Sequence, residues 1–300
     1  VATTGNTTTT ALSDSLPTII AAARIVREYE GTMTSSSVVD KVTLKANSGI
    51  GWNEIRLDKL TAQGVTEATV LNNPQQMEDT LLTLTPTVAG IHTVITDRVR
   101  RRLSSNVLAK IGSLGQNAMQ RKKDVDGLTQ LDSFSVSLGG AGTTLTVGIV
   151  SAAVSRIFGN TTEPAPPGNV SIVLHPFQIK DIQDQLTTGI ATTAAEGAAG
   201  ISDGLTAEIV RNGFSGTLFN GNVFADGNIS IDTNDDAKGG VFHQQAIVLV
   251  EGHSVLAETR RRPDIGGGAD EVFMYDEYIF GERRDEWGYE IFTDATAPTS

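Results

Sequence analysis

Residues 38–87 constrain this chain more than any other stretch. They begin VVDKVTLKANSGIGWNEIRLDKLTAQGV and end TLLTLTPTV, with apolar residues strung singly among Thr, Lys, Asn and Glu. Such alternation reads as extended chain. A segment this long with so few consecutive apolar residues cannot bury a core of its own, so it must project and lean on another part of the chain or on another molecule. Asn47-Ser48-Gly49 and Gly49-Ile50-Gly51 break the alternation as hairpin turns do, which predicts a long β-hairpin-like loop.

The flanks are more conventional. VATTGNTTTT at residues 1–10 has neither the basic nor the apolar region of a signal peptide. A helix is expected over Leu16–Glu30, capped by Ser13 or Asp14, with Pro17 in its first turn and Gly31 as its stop. It carries no core and reads as an arm. Beyond the extended stretch, Val99, Leu103, Val107, Ile111, Leu114 and Ala118 recur at helical spacing, predicting a helix over Thr96–Lys123 with one apolar stripe. At ~1.5 Å per residue its length exceeds about 35 Å. LGGAGTTL at 138–145 reads as a glycine-rich joint, followed by a helix over 146–158 and a loop over 160–169. A buried strand is expected at 170–174, a helix from Pro176 to about Leu186, and a mobile loop over 187–204. Strands over 207–231, 242–259, 271–280 and 287–293 close the chain. The class is α+β.

Little in this text supports catalysis. The absence of Cys removes disulfides, thiol chemistry and thiolate metal sites. His92, His175, His243 and His253 have no second ligand at metal-site spacing, and His175, in LHPF, reads as a turn residue. No nucleophile elbow or phosphate-binding loop occurs. Asp270-Glu271, Asp276-Glu277 and Asp285-Glu286 would offer a glycosidase its carboxylates. Neighbours on a strand point to opposite faces, however, and solvated charges are the simpler reading. No run reaches the ~20 apolar residues of a membrane helix. No cofactor, metal or membrane partner is expected.

Charge is segregated. Arg98, Arg100, Arg101, Arg102, Lys110, Arg121, Lys122 and Lys123 form a stretch with no acid, Arg260, Arg261 and Arg262 form a second cluster, and acids crowd 264–294. With a net charge of −12 the chain as a whole repels nucleic acid. The basic clusters are either solvated faces, or surfaces that meet a polyanion or the acidic surface of another copy.

The order of these parts resembles the tailed-phage major capsid proteins of the Hong Kong 97-type fold, over essentially the whole chain. KVTLKANSGIGW resembles the family's extended E-loop, TLTPTVAGIHTVITDRV and RKKDVDGL the two ends of its spine helix, and VSIVLHPFQIKDIQDQL its axial segment. GFSGTLFNGNVFADGNI and AIVLVEGHSVLAETRRRPD resemble the return into the peripheral domain. The resemblance implies an N-terminal arm at 1–37, an E-loop at 38–88, spine helix and peripheral domain at 89–137, an axial domain at 138–245 and closing strands at 246–300. It also implies a non-enzymatic coat protein that assembles in the host cytoplasm as pentamers and hexamers into the icosahedral capsid of a virion. Its partners would be itself, scaffolding, portal and decoration proteins, and packaged double-stranded DNA held without sequence specificity. No scaffolding extension precedes the arm, which implies a separate scaffold or prior cleavage.

Subunit contacts are expected from Lys45, Trp52 and Arg56 on the loop, from Arg98, Arg100, Arg101 and Arg102 on the long helix, and from Arg260, Arg261 and Arg262. The rival readings are an encapsulin-type compartment with the same fold around protein cargo, and a monomeric extracellular β-rich binding module. A hydrolase built on the late carboxylates ranks last.

Overall fold

The computed structural model describes residues 31–45, 49–57, 60–62, 64–67, 74–102, 105–161, 163–195 and 216–299, excepting the side chains of 105–111, 186–195 and 254. The helix expected at 16–30 lies outside them. In chain order the elements are β1 (Asp40–Thr43), β2 (Trp52–Leu57), β3 (Asp79–Leu84), β4 (Thr87–Thr96), α1 (Asp97–Arg102), α2 (Ser105–Leu128), β5 (Ser137–Gly139), α3 (Val147–Gly159), β6 (Val170–Leu174), α4 (Pro176–Ala195), β7 (Thr217–Leu218), β8 (Gly221–Ala225), β9 (Asp236–His243), β10 (Ile247–Arg262), β11 (Ala269–Glu282) and β12 (Gly288–Asp294). The class is α+β, as expected.

The strands form three sheets. One has the order β1-β10-β11-β4, the second β5-β12-β9-β6-β8-β7, and the third is the β2–β3 hairpin alone. Strands β10 and β11 make a long antiparallel ribbon whose register slips between Glu251 and Leu256. Bulges of this kind bend a ribbon, and burial changes there. Ile247, Val248, Leu249 and Val250 are fully buried, whereas Val255 and Leu256 beyond the slip are exposed.

The six-stranded sheet carries the main core. Ile172, Leu174, Val241, Phe242 and Ile291 are all fully buried and pack with Leu131, Val150, Ile157 and Ile182 from neighbouring elements. Each such side chain contributes about 1.5–3 kcal/mol relative to exposure. Two caps fix the helices on this core. Thr146 Oγ1 accepts from the Ile149 amide at the start of α3. At α4, His175 Nδ1 accepts from Phe177 N (3.2 Å), while the backbone N–H of His175 donates to Gln178 Oε1 (3.0 Å), a reciprocal pair around Pro176. Gln178 is fully buried because its amide also donates to Ala237 O (3.0 Å) and Thr293 Oγ1 (2.8 Å), tying α4 to β9 and β12. His175 is thus a cap, as its turn reading implied.

Several expectations need correction. β1 does not pair with β2 across a tight turn at 47–49; it joins the four-stranded sheet parallel to β10, and β2 pairs with β3 across residues 58–78. Helix α4 runs to Ala195, so residues 187–195 are helical where a loop is expected; the rest of that loop lies outside the described residues. Strand pairing ends at His243 and resumes at Ile247, dividing the run expected from 242. The long helix reaches Leu128, and at 24 residues α2 spans about 36 Å.

The buried face of α2 also differs from the hydropathy stripe. Leu114 is exposed, while Met119, Lys123 and Asp124 are buried. Gly115 and Gly127 continue that face, where an added Cβ would lie 2.6 Å from Met274 Sδ and 2.7 Å from Met33 Cβ. Two glycines and two charged residues share this contact with Met119, so apolar periodicity does not mark it at Leu114. No helix among the described residues is long and apolar enough to cross a membrane.

Candidate assembly interface

The β2–β3 hairpin has two unlike faces. Alternation turns Trp52, Glu54 and Arg56 with Leu82 and Leu84 toward the body, and Asn53, Ile55 and Leu57 with Leu81 and Thr83 away from it. The outward face is apolar at its centre. Ile55 and Leu81 are direct cross-strand partners, exposed by 63% and 60%, with Leu57 beside them at 63%. Nothing among the described residues covers them.

The inward face is fastened by one arginine. Arg283, on the segment leaving β11, donates through Nε to Glu54 Oε2 (2.8 Å) and through Nη1 to Asp40 Oδ2 (2.8 Å), and its guanidinium lies 5.6 Å from the Trp52 ring centroid. A planar donor fork with a stacking face suits all three contacts at once. Arg56 makes an ion pair with Glu163, which also pairs with Arg284 at 3.2 Å and accepts at its carbonyl from Trp287 Nε1 (3.0 Å). Leu84 fits against Gly281, where a Cβ would approach its methyls to 2.5 Å. Trp52 and Arg56 are therefore engaged by their own chain at the hairpin base. Lys45 is exposed just beyond β1.

The two arginine clusters, far apart in sequence, meet at the far end of the ribbon. Arg261 Nη1 donates to Asp97 Oδ1 (2.6 Å) and to Asp270 Oδ1 (3.0 Å), and Arg100 pairs with Asp270. Arg262 pairs with Asp264 and, at 3.2 Å, with Glu271. Gly268, at φ +112°, allows this crowding: a Cβ there would lie 2.5 Å from Arg261 Nη2 and 2.6 Å from Asp97 Oδ2. Hydrogen bonding from Arg261 holds Asp97 and Asp270 below the usual carboxylate range, and Arg262 holds Asp264 at about 2. Arg98, Arg101, Arg102 and Arg260 are exposed, with no ion pair among the described residues. A cavity of about 580 Å³, lined in part by Arg100, Arg260, Arg261, Ile95 and Val272, opens beside them.

Sequence reasoning missed a further group under α2. Lys123, 5% exposed, donates to Glu251 Oε1 (2.7 Å) and Asp276 Oδ2 (3.2 Å) and lies 4.9 Å from the Tyr278 ring centroid. Burial pushes Glu251 up, but the hydrogen bond and charge of Lys123 outweigh it and leave the carboxyl below its ordinary value. Asp276 and Glu271 are buried and paired, against the reading of the late carboxylates as solvated. No group of three or more potential ligands close enough to hold a metal ion exists among the described residues.

With this geometry in view, known structures supply the comparison. The chain superposes on a chain of Mycobacterium phage Che8 with a TM-score of 0.68 at 14% identity, over 90% of this chain and 93% of that one. The capsid of Ralstonia phage GP4 gives 0.68 at 14% identity, over 93% and 94%. This chain has the phage capsid fold. The holo-SrpI encapsulin complex of Synechococcus elongatus scores 0.58 at 10% identity, over 94% and 97%. No protein-family model and no curated protein sequence matches the chain.

Proposed function

We propose that this chain is the major capsid protein of a tailed phage, a non-enzymatic coat subunit that assembles as pentamers and hexamers into an icosahedral shell around double-stranded DNA. The observation that carries the reading is the uncovered apolar face of Ile55, Leu57 and Leu81, on a hairpin held rigidly to a body of capsid fold. A hairpin fastened on one side and apolar on the other is built to lie on a neighbour. On this reading residues 1–37 are the arm, 38–88 the E-loop, 89–137 the spine helix and peripheral domain, 138–245 the axial domain, and 246–300 the closing strands. Scaffolding, portal and decoration proteins are its further partners, and the virion capsid is its location.

Lys45, Trp52 and Arg56 serve the neighbour contact at the hairpin base, with the latter two shaping it from within. Arg98, Arg101, Arg102 and Arg260, lacking described partners, are the charges free to meet an acidic neighbour or DNA phosphates. Arg100, Arg261 and Arg262 hold the ribbon end together so that those charges are presented. The encapsulin reading shares the fold, but the higher similarity to phage capsid chains favours DNA over protein cargo.

The double substitution Ile55→Asp/Leu81→Asp tests the interface. It places two charges on an exposed face, so the core and the circular dichroism should be kept, with only a small fall in melting temperature from the like charges facing each other across the strands. Sedimentable particles should fall at least about tenfold, since each neighbour contact would bury a charge without a partner. Undiminished particle yield would contradict the proposal.

A further inference from the structure

The start of the described chain is held by two carboxyls that face each other. Asp124, on α2, and Asp226, just after β8, are both fully buried and are bridged by Asn228, which donates to each. Asp226 Oδ2 accepts from Thr32 N and Thr32 Oγ1, each at 2.9 Å, and its Oδ1 accepts from Asn228 N at 2.8 Å. Asp124 Oδ1 accepts from Met33 N and its Oδ2 from Asn228 Nδ2, both at 2.8 Å. Residues 31–33, helix α2 and the loop at 226–228 are thus tied together by these two side chains and Asn228, while Met33 also packs against Gly127 of α2. Gly31 adopts φ +74°, and a Cβ on it would lie 1.8 Å from Asp124 Cγ, so the backbone runs directly against the carboxyl.

Two carboxylates in contact, out of water, repel; one proton between them converts that repulsion into an O–H···O bond. Asp226 accepts from three donors and Asp124 from two, so the negative charge is better held on Asp226 and the proton belongs on Asp124. The other titratable group facing the pair among the described residues is His175, at the start of α4, whose charge would act on Asp226. Burial pushes that imidazole down, and its Nδ1 is occupied as an acceptor, so it stays neutral. No described ion pair brings Lys or Arg to either aspartate.

We propose that Asp124 and Asp226 form a proton-controlled latch on residues 31–33, closed while the pair shares one proton and released when that proton is lost. The latch lies within one chain and does not depend on the shell reading. Burial, followed by the charge of Asp226, pushes Asp124 up to about 7 against the hydrogen bonds from Asn228 and Met33. A carboxyl whose folded value stands above its unfolded one stabilises the fold fully below about pH 4. That contribution is lost as pH rises through about 7.

Hydrogen–deuterium exchange on the full chain tests this, with assembly state held constant and checked by light scattering at each pH. After correction for intrinsic base catalysis, protection in a peptide covering 31–37 should fall at least about tenfold between pH 6 and pH 8. Asp124→Asn keeps the acceptor for Met33 and removes the titrating proton, giving up only the bond from Asn228 Nδ2. It should stay protected across that range. Flat wild-type protection would overturn the latch, as would the wild-type profile persisting in Asp124→Asn, or an equal loss at residues 170–174 of β6. Should the variant fail to fold, the wild-type comparison of 31–37 with 170–174 decides alone.

Discussion

Arg283→Ala is expected to yield a folded subunit that assembles poorly. The substitution removes both charge-assisted hydrogen bonds that tie β2 and β1 to the segment after β11, together with the stacking on Trp52. Bonds of this kind contribute about 1.5–3 kcal/mol each. Asp40 and Glu54 are partly open to water and recover some of that by hydration, so a net local loss of about 2 kcal/mol is reasonable. The six-stranded core lies elsewhere, and circular dichroism should be unchanged. A melting temperature lower by about 4–8 °C is the thermodynamic trace. The larger effect is on assembly. Every subunit of a shell would carry the same loosened hairpin, so a modest loss per contact multiplies, and particle yield should drop about tenfold or more. Arg283→Lys keeps the charge but not the fork, and should fall between. Wild-type yield from Arg283→Ala would mean that the hairpin base plays no part in assembly.

Lys123→Met should cost the fold several kcal/mol, about 3–5. It leaves Asp276, 2% exposed, with no cation beside it, and Asp276 Oδ1 already lacks a hydrogen-bond partner. Stranding a buried charge costs about 3–5 kcal/mol. Glu251 is less affected because it is partly exposed and has Lys41 at 3.7 Å. The double change Lys123→Met/Asp276→Leu replaces the ion pair by apolar contact of similar volume and should restore most of the loss. Urea unfolding of the two single variants and the double measures the coupling directly. A double variant no more stable than Lys123→Met would show that the ion pair is not what fastens α2 to the sheet.

What could be read from the text, and what could not, follows from where each signal resides. Val170–Leu174 is a short, mostly apolar run with Ser171 its one polar residue, bounded by Asn169 and His175-Pro176, and its strand falls where that pattern places it. Helix α3 begins after its Thr146 cap for the same local reason. The buried face of α2 was hidden because Gly115 and Gly127 contribute closeness rather than hydrophobicity, and because Lys123 and Asp124 find partners in remote elements. Arg283 was hidden for a related reason. In Arg283-Arg284-Asp285-Glu286 it looks like one charge in a solvated run, while Asp40 and Glu54 lie more than 220 positions away. The arginine clusters at 98–102 and 260–262 were visible as clusters, but their meeting required the ribbon to bring Asp270 and Asp97 between them. That Trp52–Leu57 and Asp79–Leu84 are extended strands was legible from their poverty of consecutive apolar residues. Their partnership was not, because pairing β2 with β3 spans a connection that local turn chemistry does not encode.

The central claim, that this chain closes into shells, is tested most directly by its mass in solution. Untagged protein would be passed through size exclusion into light scattering, with negative-stain imaging of the same peak. The capsid account predicts particles of shell size, or pentamers and hexamers that convert to them when a scaffold is supplied. A 31.7 kDa species that stays monomeric at high concentration and with scaffold present would contradict it.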